Sequence, residues 1–191
     1  LRRGADMRRC ISGMRFPREG EVITAAAESL SYMFMESPVG RLLLAGDERG
    51  LRLLSYASGH APVHVGQTWH ASENPFREAA RQLTAYFHRE LRCFDLPLRL
   101  VGTEFQIAVW NALLSIPYGS TMSYGELARR IGRPSAVRAV GGANHANPVA
   151  IVVPCHRVIG ASGKLVGYGG GLEIKDKLLA LERGDLFALG V

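Results

Sequence analysis

The run Ser123-Tyr124-Gly125-Glu126-Leu127-Ala128-Arg129-Arg130-Ile131-Gly132-Arg133-Pro134-Ser135-Ala136-Val137-Arg138-Ala139-Val140-Gly141-Gly142-Ala143 decides how the second half of the chain is read. Ser123 with Glu126 three residues later is a capping box: each side chain satisfies a backbone N–H that a first helical turn leaves free. It opens a short helix predicted over Tyr124 to Ile131. Gly132-Arg133-Pro134 breaks that helix, because a proline inside it removes a hydrogen bond and clashes with the preceding turn. Ser135 is placed to cap the next helix, predicted from Ala136 to about Ala143. Two short helices around a Gly/Pro turn form a helix-turn-helix candidate.

Upstream, Thr103 with Gln106 forms a second capping box and opens a helix predicted to about Ser115, ended by Pro117-Tyr118-Gly119. Downstream, Ile151-Val152-Val153 is apolar and stops at Pro154, which predicts a short strand. Gly160 to Gly171 is loop, and a last helix is predicted over about Glu173 to Glu182. The first half has another texture. Tyr32 to Met35, Arg41 to Ala45 and Leu51 to Tyr56 are strand-like runs separated by turn residues, a β-meander. Ala57 to Ser72 is polar and predicts a loop. Asn74 is placed to cap a helix with Pro75 at its first position, running to about Arg89 with Phe76, Ala79, Ala80, Leu83, Tyr86 and Phe87 at helical spacing. A short strand follows near Cys93 to Leu96. Trp69 and Trp110 read as packing residues. The expected fold is α+β: a small N-terminal α/β domain with an antiparallel sheet over 31–101, then a mainly helical C-terminal domain with the helix-turn-helix over 102–191. Residues 1–30 read as a basic, disordered tail.

Charge narrows the function. The 191 residues carry a formal net charge of +6, with 47% hydrophobic and 21% charged residues, the balance of a globular chain. From Leu127 to Leu172 there is no Asp or Glu, while Arg129, Arg130, Arg133, Arg138, Arg157 and Lys164 fall in that stretch. A one-signed cluster on a helical pair points to phosphate contact more sharply than net charge does. The small residues Ala136, Ala139, Gly141, Gly142 and Ala143 let the second helix lie close to a nucleic-acid groove or pack tightly on another helix. No apolar run approaches the roughly 18 residues that span a bilayer. The three cysteines, Cys10, Cys93 and Cys155, are scattered, with no CxxC. They suggest neither a disulfide framework nor, with His60, His64, His70 and His88, a spaced metal motif. No metal, cofactor or membrane partner is expected, and a monomer in the cytoplasm is the expected state.

Pro154-Cys155-His156-Arg157 carries the chemistry. A cysteine attacks as thiolate, and an unperturbed thiol is mostly protonated at neutral pH. An adjacent imidazole and guanidinium favour the anion. In extended chain His156 cannot face Cys155, so a local turn or a bridging water has to connect them. Glu182 on the last helix could orient the imidazole, giving a nucleophile–base–orienter relay. A buried cysteine after an apolar strand can equally be inert core.

The wider context resembles one family. Asn147-Pro148-Val149-Ala150-Ile151-Val152-Val153-Pro154-Cys155-His156-Arg157-Val158-Ile159-Gly160 resembles the active-site signature of the O6-alkylguanine-DNA alkyltransferases. Arg138-Ala139-Val140-Gly141-Gly142-Ala143 resembles their recognition helix, Ser123-Tyr124-Gly125-Glu126-Leu127-Ala128 the helix before it, and Gly167-Tyr168-Gly169-Gly170-Gly171 their substrate loop. The resemblance runs from about Phe105 to Glu182, and more loosely over Tyr32 to Leu100.

It implies direct-reversal repair of duplex DNA: a single-turnover transfer of the alkyl group of O6-alkylguanine, and less well O4-alkylthymine, to the protein's own cysteine. By the resemblance Cys155 accepts the alkyl group, His156 takes the thiol proton through a water, and Glu182 holds the imidazole. Asn147 fixes the turn between recognition helix and active-site strand. Arg138 enters the duplex where the base leaves, and Ala136, Ala139 and Gly141 lie against the DNA in the minor groove. Tyr124 presses on the rotating phosphate and donates toward the guanine. Backbone groups of Cys155, Val158 and Gly169 read the guanine edges, with Tyr168 in the pocket wall. Other classes stay open on the residues alone. A plain helix-turn-helix regulator needs no Pro-Cys-His-Arg segment, and a thiol hydrolase would turn over an ester or peptide.

Overall fold

A computed structural model describes residues 29–57 and 64–185. The tail expected over 1–30, with Cys10, lies almost wholly outside them, as does His60. The chain is α+β, as expected. β1 (Ser31–Met35), β2 (Leu42–Asp47) and β3 (Gly50–Tyr56) form the antiparallel meander, with β2 between β1 and β3. β2 is the central strand, and Leu42, Leu43, Leu44 and Ala45 are fully buried, so it reads as a continuous apolar run rather than an alternating one. The polar stretch expected to be all loop contributes β4 (His70–Ala71), which pairs parallel with β1. Its two residues are exposed and too few to show an apolar pattern.

Asn74 does not cap the first helix. Asn74–Phe76 is a 3-10 turn without a side-chain cap, and α1 (Arg77–Phe87) starts only after it. Phe76 is driven into the core, 2% exposed, and the chain tightens around it. Ala79, Leu83, Tyr86 and Phe87 form the buried stripe of α1. No strand forms over 93–96. The Gln82 amide instead takes both backbone groups of Asp95, accepting from its N–H and donating to its carbonyl at 2.8 Å each, which removes the need for a ladder. The pairing falls two residues later, where Leu98 bridges Leu51 of β3.

The second half is helical: α2 (Glu104–Leu114), α3 (Tyr124–Arg130), α4 (Val137–His145) and α5 (Leu172–Arg183). Both capping boxes form as read, Thr103 with Gln106 and Ser123 with Glu126. Ser135 does not cap α4. The Ala136 N–H closes a turn onto the Arg133 carbonyl, so the helix begins one residue later and its N-cap, Ala136, has no side-chain acceptor. Trp110 is a packing residue, 1% exposed, whose indole N–H donates to the Ala143 carbonyl at 2.8 Å and locks α2 against the last turn of α4. A parallel pair, β5 (Met122–Ser123) with β6 (Val158–Ile159), brings the start of α3 beside the segment after Cys155.

One apolar core runs through both halves. Backbone bonds also cross between them. The Leu54 N–H donates to the Pro148 carbonyl, and the Ala150 N–H to the Leu54 carbonyl, at 2.9 Å each. The outer edge of β3 is thereby tied to the chain that leads to Cys155.

Candidate active site

The segment before Cys155 is not the strand its apolar run suggested. It is a knot of turns: Val152 N–H to Ala150 O, Val153 N–H to Val149 O, and Cys155 N–H to Val153 O. Ile151 sits at φ 70°, a left-handed conformation that costs a β-branched residue on the order of 1–3 kcal/mol. Its side chain is fully buried, and that packing holds the backbone there. Asn147 pins the knot. Its Oδ1 accepts from the Val149 N–H at 3.1 Å and its Nδ2 donates to the Val153 carbonyl at 2.8 Å. The same Nδ2 lies 3.1 Å from the Cys155 sulfur, so Asn147 touches the thiol itself as well as shaping the turn.

Cys155–Arg157 forms a 3-10 turn in which the sulfur meets Asn147 and the imidazole meets Glu182. All three residues are buried. His156 Nε2 meets Glu182 Oε1 at 2.7 Å, while Nδ1 is buried with no hydrogen-bond partner. A buried ring nitrogen left unpaired costs about 1–3 kcal/mol, so the site keeps it at the expense of stability. Arg157 does not face the thiol. Its Nε and Nη2 grip the Glu182 carboxylate at 2.9 Å, and Nη1 donates to the Ile116 carbonyl at 2.6 Å. It therefore belongs to the buried frame and leaves the basic surface, where Arg129, Arg133, Arg138 and Lys164 are exposed.

Glu182 is a hub. Besides His156 and Arg157 it accepts from the Tyr86 hydroxyl at 2.8 Å and from the Gly119 N–H at 3.0 Å. Gly119 has φ 72° and comes so close to α5 that a Cβ would stand 3.0 Å from the Glu182 carbonyl oxygen, so no other residue fits this turn without strain. Burial alone would raise the Glu182 carboxyl, but His156 and the Arg157 guanidinium outweigh it and hold the group well below the usual carboxylate range. Burial lowers the His156 pKa, partly offset by Glu182, and leaves the ring neutral near pH 7. Burial pushes the Cys155 thiol up, against the Asn147 hydrogen bond and the charge of Lys175. The resting site thus holds a neutral thiol and a neutral imidazole beside an ionised carboxylate.

Lys175, absent from the sequence reading, is the cation that acts on the thiol in place of Arg157. It is fully buried, donates to the Val166 carbonyl at 2.7 Å and the Gly167 carbonyl at 3.3 Å, and burial lowers its pKa to about 8. A signal existed: Lys175, Leu178 and Glu182 share one stripe of α5, and charges on a stripe that also holds leucine are out of place on a solvated face.

A cavity of about 240 Å³ opens onto Cys155, with Asn144, Asn147, Ala150, Tyr168 and Gly169 in its wall. Tyr168 is buried in that wall. Tyr56 from β3 is there too, its hydroxyl 2.7 Å from that of Tyr168. Tyr124 is half-buried, donates to the Val166 carbonyl at 3.3 Å and lies beside Gly141, whose added Cβ would stand 3.9 Å from its ring. Burial, then the nearby Cys155, raises its pKa, so the phenol keeps its proton. Val158 is buried directly after the 3-10 turn. Arg138 and Ala139 are exposed and Ala136 half-buried on α4, outside the cavity wall. Among the described residues no three His, Cys, Asp or Glu side chains gather as a metal site, and no helix is long and apolar enough to cross a membrane.

Comparison with known proteins bears on this geometry. Residues 104–184 match the family described as 6-O-methylguanine DNA methyltransferase, DNA binding domain. Residues 30–100 match its ribonuclease-like domain. A methylated-DNA–protein-cysteine methyltransferase of Methanosarcina acetivorans is 58% identical over 151 residues, covering 79% of this chain and 97% of that protein. One from Mycolicibacterium paratuberculosis is 55% identical over 159 residues, covering 81% of this chain and 93% of that protein. The crystal structure of Mycobacterium tuberculosis OGT in complex with DNA superposes with a TM-score of 0.75 at 52% identity, over 81% of this chain and 93% of that one.

Proposed function

The chain belongs to the 6-O-methylguanine DNA methyltransferase family, and from that premise we propose that it repairs duplex DNA by moving the alkyl group of O6-alkylguanine, and less readily of O4-alkylthymine, onto its own Cys155. The observation that carries the reading is the Cys155 sulfur itself. It opens on a cavity, is held by Asn147, and precedes a histidine locked through one nitrogen to a buried carboxylate.

The proton and electron count follows from that arrangement. The thiol proton passes through a water to His156 Nδ1, the nitrogen with no protein partner, and Glu182 stabilises the imidazolium. The thiolate attacks the alkyl carbon. An S–C bond forms, the C–O6 bond breaks, and its electron pair stays on the guanine oxygen. Tyr124 donates a proton toward the purine, so the base leaves neutral, and the proton held by His156 restores the phenol. Backbone groups of Cys155, Val158 and Gly169 read the guanine edges, with Tyr168 in the wall. A thioether is a poor leaving group, and Cys155 is the free thiol of the described residues, so each molecule acts once.

O6 lies inside the duplex, so the base is flipped out before it reaches the sulfur. Arg138 fills the gap, and Tyr124 presses on the rotated phosphate. α3 and α4 act as the helix-turn-helix, with Ala136, Ala139 and Gly141 close to the minor groove. The exposed Arg129, Arg133, Arg138 and Lys164 and the uncapped N-terminal turn of α4 support phosphate contact. The working division is an α+β domain over 31–101 and a catalytic and DNA-binding domain over 102–191. The cavity is completed within one chain, which supports action as a monomer, here assigned to the cytoplasm. The test is intact mass after incubation with a duplex bearing O6-methylguanine. One added methyl group with a demethylated strand is expected; a demethylated strand with unchanged protein mass contradicts the reading.

A further inference from the structure

We propose that Tyr56, the last residue of β3, limits the size of the alkyl group that the Cys155 cavity accepts. The proposal rests on the alkyl-transfer reading above. Whatever is attached to O6 must lie beside the sulfur, so the space around Cys155 decides which groups fit.

Tyr56 borders that space from the other half of the chain. It is 5% exposed, it lines the same cavity as Cys155, Tyr168 and Gly170, and its hydroxyl meets that of Tyr168 at 2.7 Å. Its ring also occupies the room that a side chain at position 170 would need, since a Cβ built on Gly170 would stand 2.6 Å from Tyr56 Cε2. The ring cannot retreat easily. Two residues before it, Leu54 is bonded through both backbone groups to Pro148 and Ala150. The Tyr168 hydroxyl holds the far end of the phenol. Tyr56 is therefore a fixed wall between two anchored segments, and an alkyl chain extending past the sulfur meets its ring. Packed walls of this kind discriminate by steric overlap, with one methylene worth about 10–200-fold in rate.

The test uses the full chain with two duplexes, one bearing O6-methylguanine and one O6-benzylguanine, and single-turnover rates for wild type, Tyr56→Ala, Tyr56→Leu and Tyr56→Phe. The quantity is the benzyl-to-methyl rate ratio. It should rise at least about tenfold in Tyr56→Ala and less in Tyr56→Leu, and stay within about twofold of wild type in Tyr56→Phe, which keeps the ring. If Tyr56→Ala does not fold, Tyr56→Leu against Tyr56→Phe carries the comparison. An unchanged ratio in the folded small-residue variants overturns the proposal. So does an equal shift in Tyr56→Phe, which would assign selectivity to the hydroxyl pair. Failure of wild type to transfer either group would instead remove the alkyl-transfer reading, and the proposal with it.

Discussion

The two halves of the chain contribute to the site in different ways. From the second half come Asn147, Cys155, His156, Arg157, Lys175 and Glu182, most of them within one short stretch and the helix that packs on it. From the first half come two tyrosines far away in sequence: Tyr86, which donates to Glu182, and Tyr56, which walls the cavity. On the proposed reading, one half supplies reacting groups and the other supplies constraint. A site can thus be chemically complete in one segment and still depend on another for shape.

The sharpest test of that division removes the nucleophile. Cys155→Ser keeps the size but has a far weaker attacking atom. No transfer is expected, with near-normal binding to alkylated duplex in a gel-shift titration. Loss of binding as well would make Cys155 a structural cysteine.

The hub comes next. Glu182→Gln leaves the Arg157 guanidinium buried without its counter-charge, which should cost about 3–5 kcal/mol in a denaturant titration. His156→Ala should slow transfer and move the rate–pH profile to higher pH, because only solvent base then deprotonates a thiol whose pKa burial has raised. Stability carries a matching sign. The His156 pKa is lowered in the fold, so between that value and about 6.5 the unfolded chain binds more protons. Wild type should lose stability as pH falls through this window, and His156→Ala should flatten the loss. An unchanged rate profile would take His156 out of the relay.

Arg138→Lys asks whether the DNA face acts separately from the cavity. Charge is retained but the planar group is lost. Repair of O6-methylguanine in duplex should slow about tenfold or more, while reaction with free O6-benzylguanine, which needs no flipping, should change little. Equal losses on both would give Arg138 a structural role. The smallest effect is expected from the first half. Tyr86→Phe removes one bond to a carboxylate that keeps its other partners, so about 1–2 kcal/mol of stability and a few-fold in rate are expected. A shift of the rate–pH profile as large as that of His156→Ala would put Tyr86 inside the relay and erase the contrast between halves.

The same contrast explains what could be read from the sequence. Signals confined to a few residues were legible: the capping boxes at Thr103 and Ser123, the meander, and the Pro-Cys-His-Arg turn. Apart from Glu182, read as a partner of His156, signals that depend on distant partners were not. Ile151 to Val153 looks like a strand because apolar runs do not distinguish a strand from buried turns, and the left-handed Ile151 leaves no mark in composition. Arg157 looked like a partner of the thiol because adjacency was visible and Glu182 was 25 residues away. Tyr56 and Tyr86 look like ordinary core aromatics until the cavity and the carboxylate they meet are known. Lys175 left a signal that the sequence reading passed over, a charge on an apolar stripe.

The central claim, that Cys155 is the final resting place of the alkyl group, is tested most directly by peptide mapping after reaction with excess duplex bearing a labelled O6-methylguanine. One methyl group per molecule, all of it on the peptide containing Cys155, is the expected result. Label on Cys10 or Cys93, or more strand repaired than protein present, would contradict it.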